Sequence, residues 1–155
     1  MTQPDDNHVK ILFRYLSPVL EDWVVETMWA DVVDPVKGYY KLDSIPFYGP
    51  TVASDDIVLA EFDKDEEALT YRKTIESSGN SIVLVVMMDK KVEANSIRDI
   101  FSALGCLSEK VNEGYFSMEI LAEKDYNPIR QKLIELEEKG IIGYSEPCLS
   151  SIHSY

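Results

Sequence analysis

An α+β chain in two parts is what three features of this 155-residue sequence predict. Five short stretches with strand character crowd the region before residue 80, and helical periodicity begins only after residue 88. From residue 82 onward the elements run β, α, β, β, α, β. The expected boundary lies between an antiparallel β subdomain over 1–80, a meander or small barrel, and an α/β subdomain over 81–155. With no Gly/Ser-rich or charged linker at that boundary, the two are expected to pack as one compact body.

The first strand follows from residues 9–15, where Val9, Ile11, Phe13 and Tyr15 alternate with Lys10, Leu12 and Arg14, the period of a half-buried strand. Ser17-Pro18 ends it. Residues 23–33 are rich in β-branched and aromatic side chains, with Trp23, Val25, Thr27 and Trp29 on one parity, and make the second strand. A turn over 34–38 leads to a third, short strand at 39–42, followed by a loop that Pro46 and Pro50 stiffen. Residues 57–62 and 69–75 read as a hairpin around the acidic turn 63–67. Five strands in so short a span predict a small, strongly bent barrel or sandwich.

Turn chemistry at Ser77-Ser78-Gly79-Asn80 precedes a continuous apolar run at 82–88, the signature of a strand buried on both faces. Ile97, Ile100, Phe101 and Leu104 recur at helical spacing, with Gly105 placed as a left-handed C-terminal cap. Residues 107–111 and 115–121 make a second hairpin through Asn112-Glu113-Gly114. Asn127 is the expected N-cap of a second helix, with Pro128 at its first position, Ile129, Leu133 and Leu136 on one face and Gly140 as its stop. A last strand at 141–145 completes the ferredoxin-like split βαβ order.

Composition restricts function more than it identifies it. The net charge of −13 makes a phosphate backbone or an anionic membrane surface a poor partner and a basic protein a good one. Residues 1–88 carry 16 acids against 7 bases and residues 89–155 carry 12 against 8, so the excess sits mainly in the first part. The N-terminus lacks the basic and apolar regions of a secretory signal, and no stretch is long and apolar enough to span a membrane; a cytoplasmic location is expected. In that compartment Cys106 and Cys148 stay reduced and act as small apolar residues.

Motifs for catalysis are missing. There is no GxSxG elbow, no phosphate-cradling glycine loop and no local signature around either cysteine. The run Asp63-Lys64-Asp65-Glu66-Glu67 fails as a calcium loop, because Ala68 stands where glycine is needed and Thr74 where glutamate is. His8 and His153 have no metal-spaced partner in the sequence, so no metal or cofactor is expected. Acid pairs such as Asp55-Asp56 and Glu66-Glu67 flank turns where water keeps carboxylates ordinary, and the chain is expected not to be an enzyme. Among Tyr39, Tyr40, Phe47 and Tyr48, core packing competes with an interface role, and Tyr48 beside Gly49-Pro50 is expected to be the exposed one.

The segments ILFRY, TMWADVVD, YYKLDSIPFYGPTVASDDIVLAEFD, LTYRKTIESSGNS, NEGYFSMEI and GIIGYSEPCLS, in this order and over nearly the whole length, resemble the bacterial domain-of-unknown-function family four-two-six-five. Members often carry a histidine within the SGxS turn, where this chain has Asn80, so no role for that histidine carries over. The resemblance implies a small cytoplasmic protein without catalytic residues, of a kind suspected to act as immunity proteins against secreted toxins. With the charge distribution, this predicts a protein-binding immunity protein that meets a basic toxin domain through Asp55, Asp56, Glu61, Asp63, Asp65, Glu66, Glu67 and Tyr48. Two alternatives stand beside it: a small-ligand regulatory module built on the ferredoxin-like part, and a hairpin whose charges merely keep a sheet edge soluble.

Overall fold

The computed structural model describes residues 8–17, 21–48 and 50–154. Pro18, Gly49 and the N-terminal residues 1–7, which enter the expectations above, lie outside them. The α+β class holds: among the described residues nine strands form two sheets, accompanied by two helices. Contacts divide the chain into two compact units, Met1–Ser78 and Gly79–Tyr155.

The first unit is a closed barrel of β1 (His8–Ser17), β2 (Asp22–Asp34), β3 (Tyr39–Leu42), β4 (Ile57–Asp63) and β5 (Ala68–Glu76), in that order. Successive strands pair antiparallel, and β5 returns to β1 in a parallel contact at Leu12↔Thr70. Bulges at Val33 on β2 and at Arg72 and Ile75 on β5 bend these strands enough to close so few of them. Asp34 Oδ1 accepts the amides of Val36 and Lys37 and forms the β2–β3 turn. Gly38 completes that turn at φ 77°, where a Cβ would meet the Ala60 carbonyl oxygen at 2.9 Å, so the close approach to β4 needs glycine.

Period-two alternation decides what lies inside. Ile11 and Phe13 of β1, Met28 and Ala30 of β2, Leu42, Val58 and Ala60 fill the interior, and Phe13 stacks on Tyr71 with ring centroids 4.8 Å apart. The tryptophan parity of β2 faces outward: Trp23 is 64% exposed, and Val25 and Trp29 are exposed as well. A five-stranded barrel has little internal room, and the slim residues Ala30 and Ala60 fit where an indole would not.

In the second unit β6 (Ser81–Met87), α1 (Ala94–Ala103), β7 (Leu107–Asn112), β8 (Tyr115–Ile120), α2 (Asn127–Glu138) and β9 (Ile142–Cys148) follow one another. Their strands form an antiparallel sheet in the order β7-β8-β6-β9. Ile97 and Phe101 of α1 and Ile129, Leu133 and Leu136 of α2 share a core with Val83, Val85, Phe116, Met118 and Ile142. Gly105, at φ 95°, ends α1, and the Cys106 amide reaches back to the Phe101 carbonyl. One local expectation is corrected: Asn127 is the first residue of α2, and Tyr126 occupies the N-cap with no side-chain cap bond. The Asn127 amide is instead satisfied by Asp125 Oδ1 at 3.0 Å, so the capping carboxylate comes from two residues earlier. No described helix is long and apolar enough to cross a membrane.

A candidate interaction site on the acidic hairpin

The hairpin β4–β5 carries the acids singled out in the sequence, and its geometry sorts them into separate roles. Asp63 ends β4 and folds back over the turn, accepting the amides of Asp65 at 2.8 Å and Glu66 at 3.1 Å. Its carboxyl is held below the ordinary range, first by the Glu66 amide and then by the Arg72 guanidinium, whose Nη2 lies 3.0 Å away. Arg72 also reaches Glu61 at 3.2 Å, and its own affinity for the proton is raised, chiefly by the bond to Asp63. Glu66 takes a bidentate fork from Arg14 at 2.9 and 3.0 Å, tying the turn to β1. Asp65 and Glu67 are exposed, and neither forms an ion pair among the described residues. Glu67 closes the turn at φ 56°.

Asp55 and Asp56 precede the hairpin and are unlike each other. Asp55 is exposed at φ 66°. Asp56 is 3% exposed, and its two oxygens accept the amides of Ala53 at 3.0 Å and Ser78 at 2.8 Å. The expectation of water around every one of these acids is corrected at Asp56: its carboxylate pins the loop before β4 and is withheld from any partner.

The aromatic expectation shifts by one residue and acquires a member. Phe47 is exposed, whereas Tyr48 is half-buried, its amide donating to Glu26 and its carbonyl accepting from Ser17. Glu26, itself buried, accepts from the Phe47 amide and the Tyr15 hydroxyl as well, so this carboxylate anchors the Phe47–Tyr48 loop from inside the barrel. Sequence reading missed Phe62. It has the parity of Val58 and Ala60, which points inward, but it stands one step beyond the closed part of the barrel and is 67% exposed between Glu61 and Asp63. The signal in the sequence was its place between Glu61 and Asp63, at the edge of the acidic turn.

Elsewhere the polar groups serve structure. Burial pushes the Cys106 thiol up to about 12, which keeps it protonated and a poor nucleophile. Ser81 and His153 meet at 2.7 Å, and His153 Nε2 lies 3.2 Å from the Lys124 carbonyl. A carbonyl only accepts, so Nε2 carries a proton, and in the neutral ring Nδ1 accepts from the Ser81 hydroxyl. Ser81 has no exposed surface, and the pair ties the C-terminal segment to β6. Spacing in sequence offers His8 no ligand-like partner, whereas the fold brings it beside Asp31 and Asp43.

A family model described as a domain of unknown function, DUF4265, matches residues 26–144. The crystal structure of a hypothetical protein from Neisseria gonorrhoeae superposes with a TM-score of 0.78 at 22% identity, covering 92% of this chain and 95% of that one. At that identity the likeness establishes the fold. No curated protein matches the chain.

Proposed function

Because the chain belongs to the DUF4265 family, whose description assigns no activity, we propose from its own surface chemistry that it is a non-catalytic, cytoplasmic immunity protein. It neutralises a basic secreted toxin through the β4–β5 hairpin. The observation that carries this reading is Phe62, a large apolar side chain 67% exposed among acids. Exposed carboxylates at Asp55, Glu61, Asp65 and Glu67 attract a basic surface over distance, and an aromatic side chain among them gains affinity once water is excluded. Asp63 and Glu66, each held by an arginine, give the turn its shape. Co-expression with toxin domains encoded beside its gene tests this: the wild type restores growth and Phe62→Ala protects less. Failure to rescue from, or bind, any neighbouring toxin removes the reading.

We read the second unit as ferredoxin-like, supported by its βαββαβ order and by the strand order β7-β8-β6-β9. A groove of about 420 Å³ bordered by Arg98, Asp99, Ser102 and Ser108 supports the alternative of a small-ligand regulatory module. Arg98 already donates to Asn95 and Ser108 there, so a ligand would have to compete for it, and the alternative carries less weight. A metabolite that co-purifies with the protein would favour it.

A further inference from the structure

We propose that His8, Asp31 and Asp43 form a binding site for a divalent transition-metal ion on the outer face of the barrel. The register of β1 on β2 sets His8 directly opposite Asp31. The Asp43 amide donates to the Trp29 carbonyl at 2.9 Å, which extends the β2–β3 pairing one residue past Ala30↔Leu42 and brings Asp43 to the same face. One ligand atom from each residue lies within 4.8 Å of the other two.

The distances suit a metal ion. With metal–ligand bonds of about 2.1 Å, two donors on a tetrahedral ion stand roughly 3.4 Å apart. His8 Nε2 and Asp43 Oδ2 are 3.4 Å apart. Closing the longer separations takes a movement on the order of 1 Å, within reach of exposed carboxylates that can change rotamer.

A second observation concerns the imidazole itself. His8 Nε2 is shielded from solvent, and the Asp43 carboxylate oxygen stands off it at 3.4 Å, longer than an ordinary hydrogen bond. Its ring is stacked on Trp29 with centroids 4.6 Å apart and planes 22° from parallel, which restrains the direction in which Nε2 points. One imidazole and two carboxylates make a donor set for zinc, cobalt or manganese, and water completes the shell on the exposed side. Two cations share this face: Lys10 lies over the Trp29 ring, and Lys41 stands opposite Asp31 in the register. They lower the affinity for a dication, which makes this a site of moderate strength rather than one that folding depends on.

Calorimetric titration of the tag-free, full-length protein with zinc chloride tests the site, together with His8→Gln, Asp31→Asn and Asp43→Asn. The wild type is expected to bind one ion per chain, and each variant to bind about tenfold or more weakly. Zinc should also perturb the His8 ring nitrogen signals in a long-range nitrogen NMR spectrum, a readout independent of heat. The asparagine changes lie on exposed side chains and preserve the fold, which circular dichroism verifies. Absence of saturable binding with zinc in large excess would overturn the proposal and leave His8 and Asp43 as an ion pair. Equal affinity in His8→Gln would overturn it as well, because the ion would then sit elsewhere.

Discussion

Asp56 and Asp63 lie seven positions apart, and their surroundings give them different sensitivities. Asp56 is buried and accepts two backbone amides, so Asp56→Ala leaves two donors without a partner. That change is expected to cost about 1–3 kcal/mol, measured by urea unfolding, with Asp56→Asn milder because one acceptor oxygen remains. Asp63 sits at the surface with its carboxyl held below the ordinary value of 3.8 by the Glu66 amide and by Arg72. A depressed carboxylate stabilises the folded state above its unfolded value, and that contribution is lost as pH falls through the lower, folded value. The turn should therefore keep its order at pH 4 and lose it only in more acidic solution. Carboxyl NMR titration checks this: Asp63 is expected to titrate below the ordinary value of 3.8, and a midpoint at or above it would contradict the turn geometry.

At the scale of elements, the core face of α2 was legible because Ile129, Leu133 and Leu136 recur at helical spacing, and all three are buried. Leu133→Ala should cost about 2–5 kcal/mol through lost burial and a residual cavity, since Leu133 has no exposed surface. Thermal or urea unfolding measures it. The start of the same helix was less legible, because Asn127-Pro128 satisfies the rule for an N-cap while Asp125 supplies the competing acceptor. Strand existence could be read for β1 through β9, but which parity faces inward could not be read from hydrophobicity in β2. There the indoles of Trp23 and Trp29 exceed the room inside a five-stranded barrel, and Met28 and Ala30 take the interior. The site divides along the same line. A charge count finds the acidic hairpin. It cannot distinguish Asp56, which folds inward, from Asp55, nor reveal that Phe62 emerges where the barrel ends. The approach of His8 to Asp31 depends on strand register between residues distant in sequence, which spacing rules for metal ligands do not sample.

For the whole molecule, a net charge of −13 attracts any basic protein weakly, and specificity has to come from a local arrangement. On the proposed reading the hairpin would supply one, through exposed acids around an apolar side chain. Arg14, Arg72 and Lys64 offset part of the hairpin's charge, so in the proposed complex the steering would fall chiefly to Asp55, Asp65 and Glu67. Replacing Asp63 or Glu66 would disturb the turn along with the charge; Asp65→Lys combined with Glu67→Lys alters charge while leaving both arginine pairs in place. The most direct measurement is the association rate of the wild type and this double variant with a basic toxin domain that the wild type neutralises in co-expression, followed by stopped flow across a salt series. Exposed charges are screened beyond about 10 Å at 0.1 M salt, so the wild-type rate should fall steeply as salt rises while dissociation changes little. The variant should associate more slowly and respond less to salt. A variant that binds at the wild-type rate with the same salt response would show that the acidic hairpin is not the surface that meets the partner.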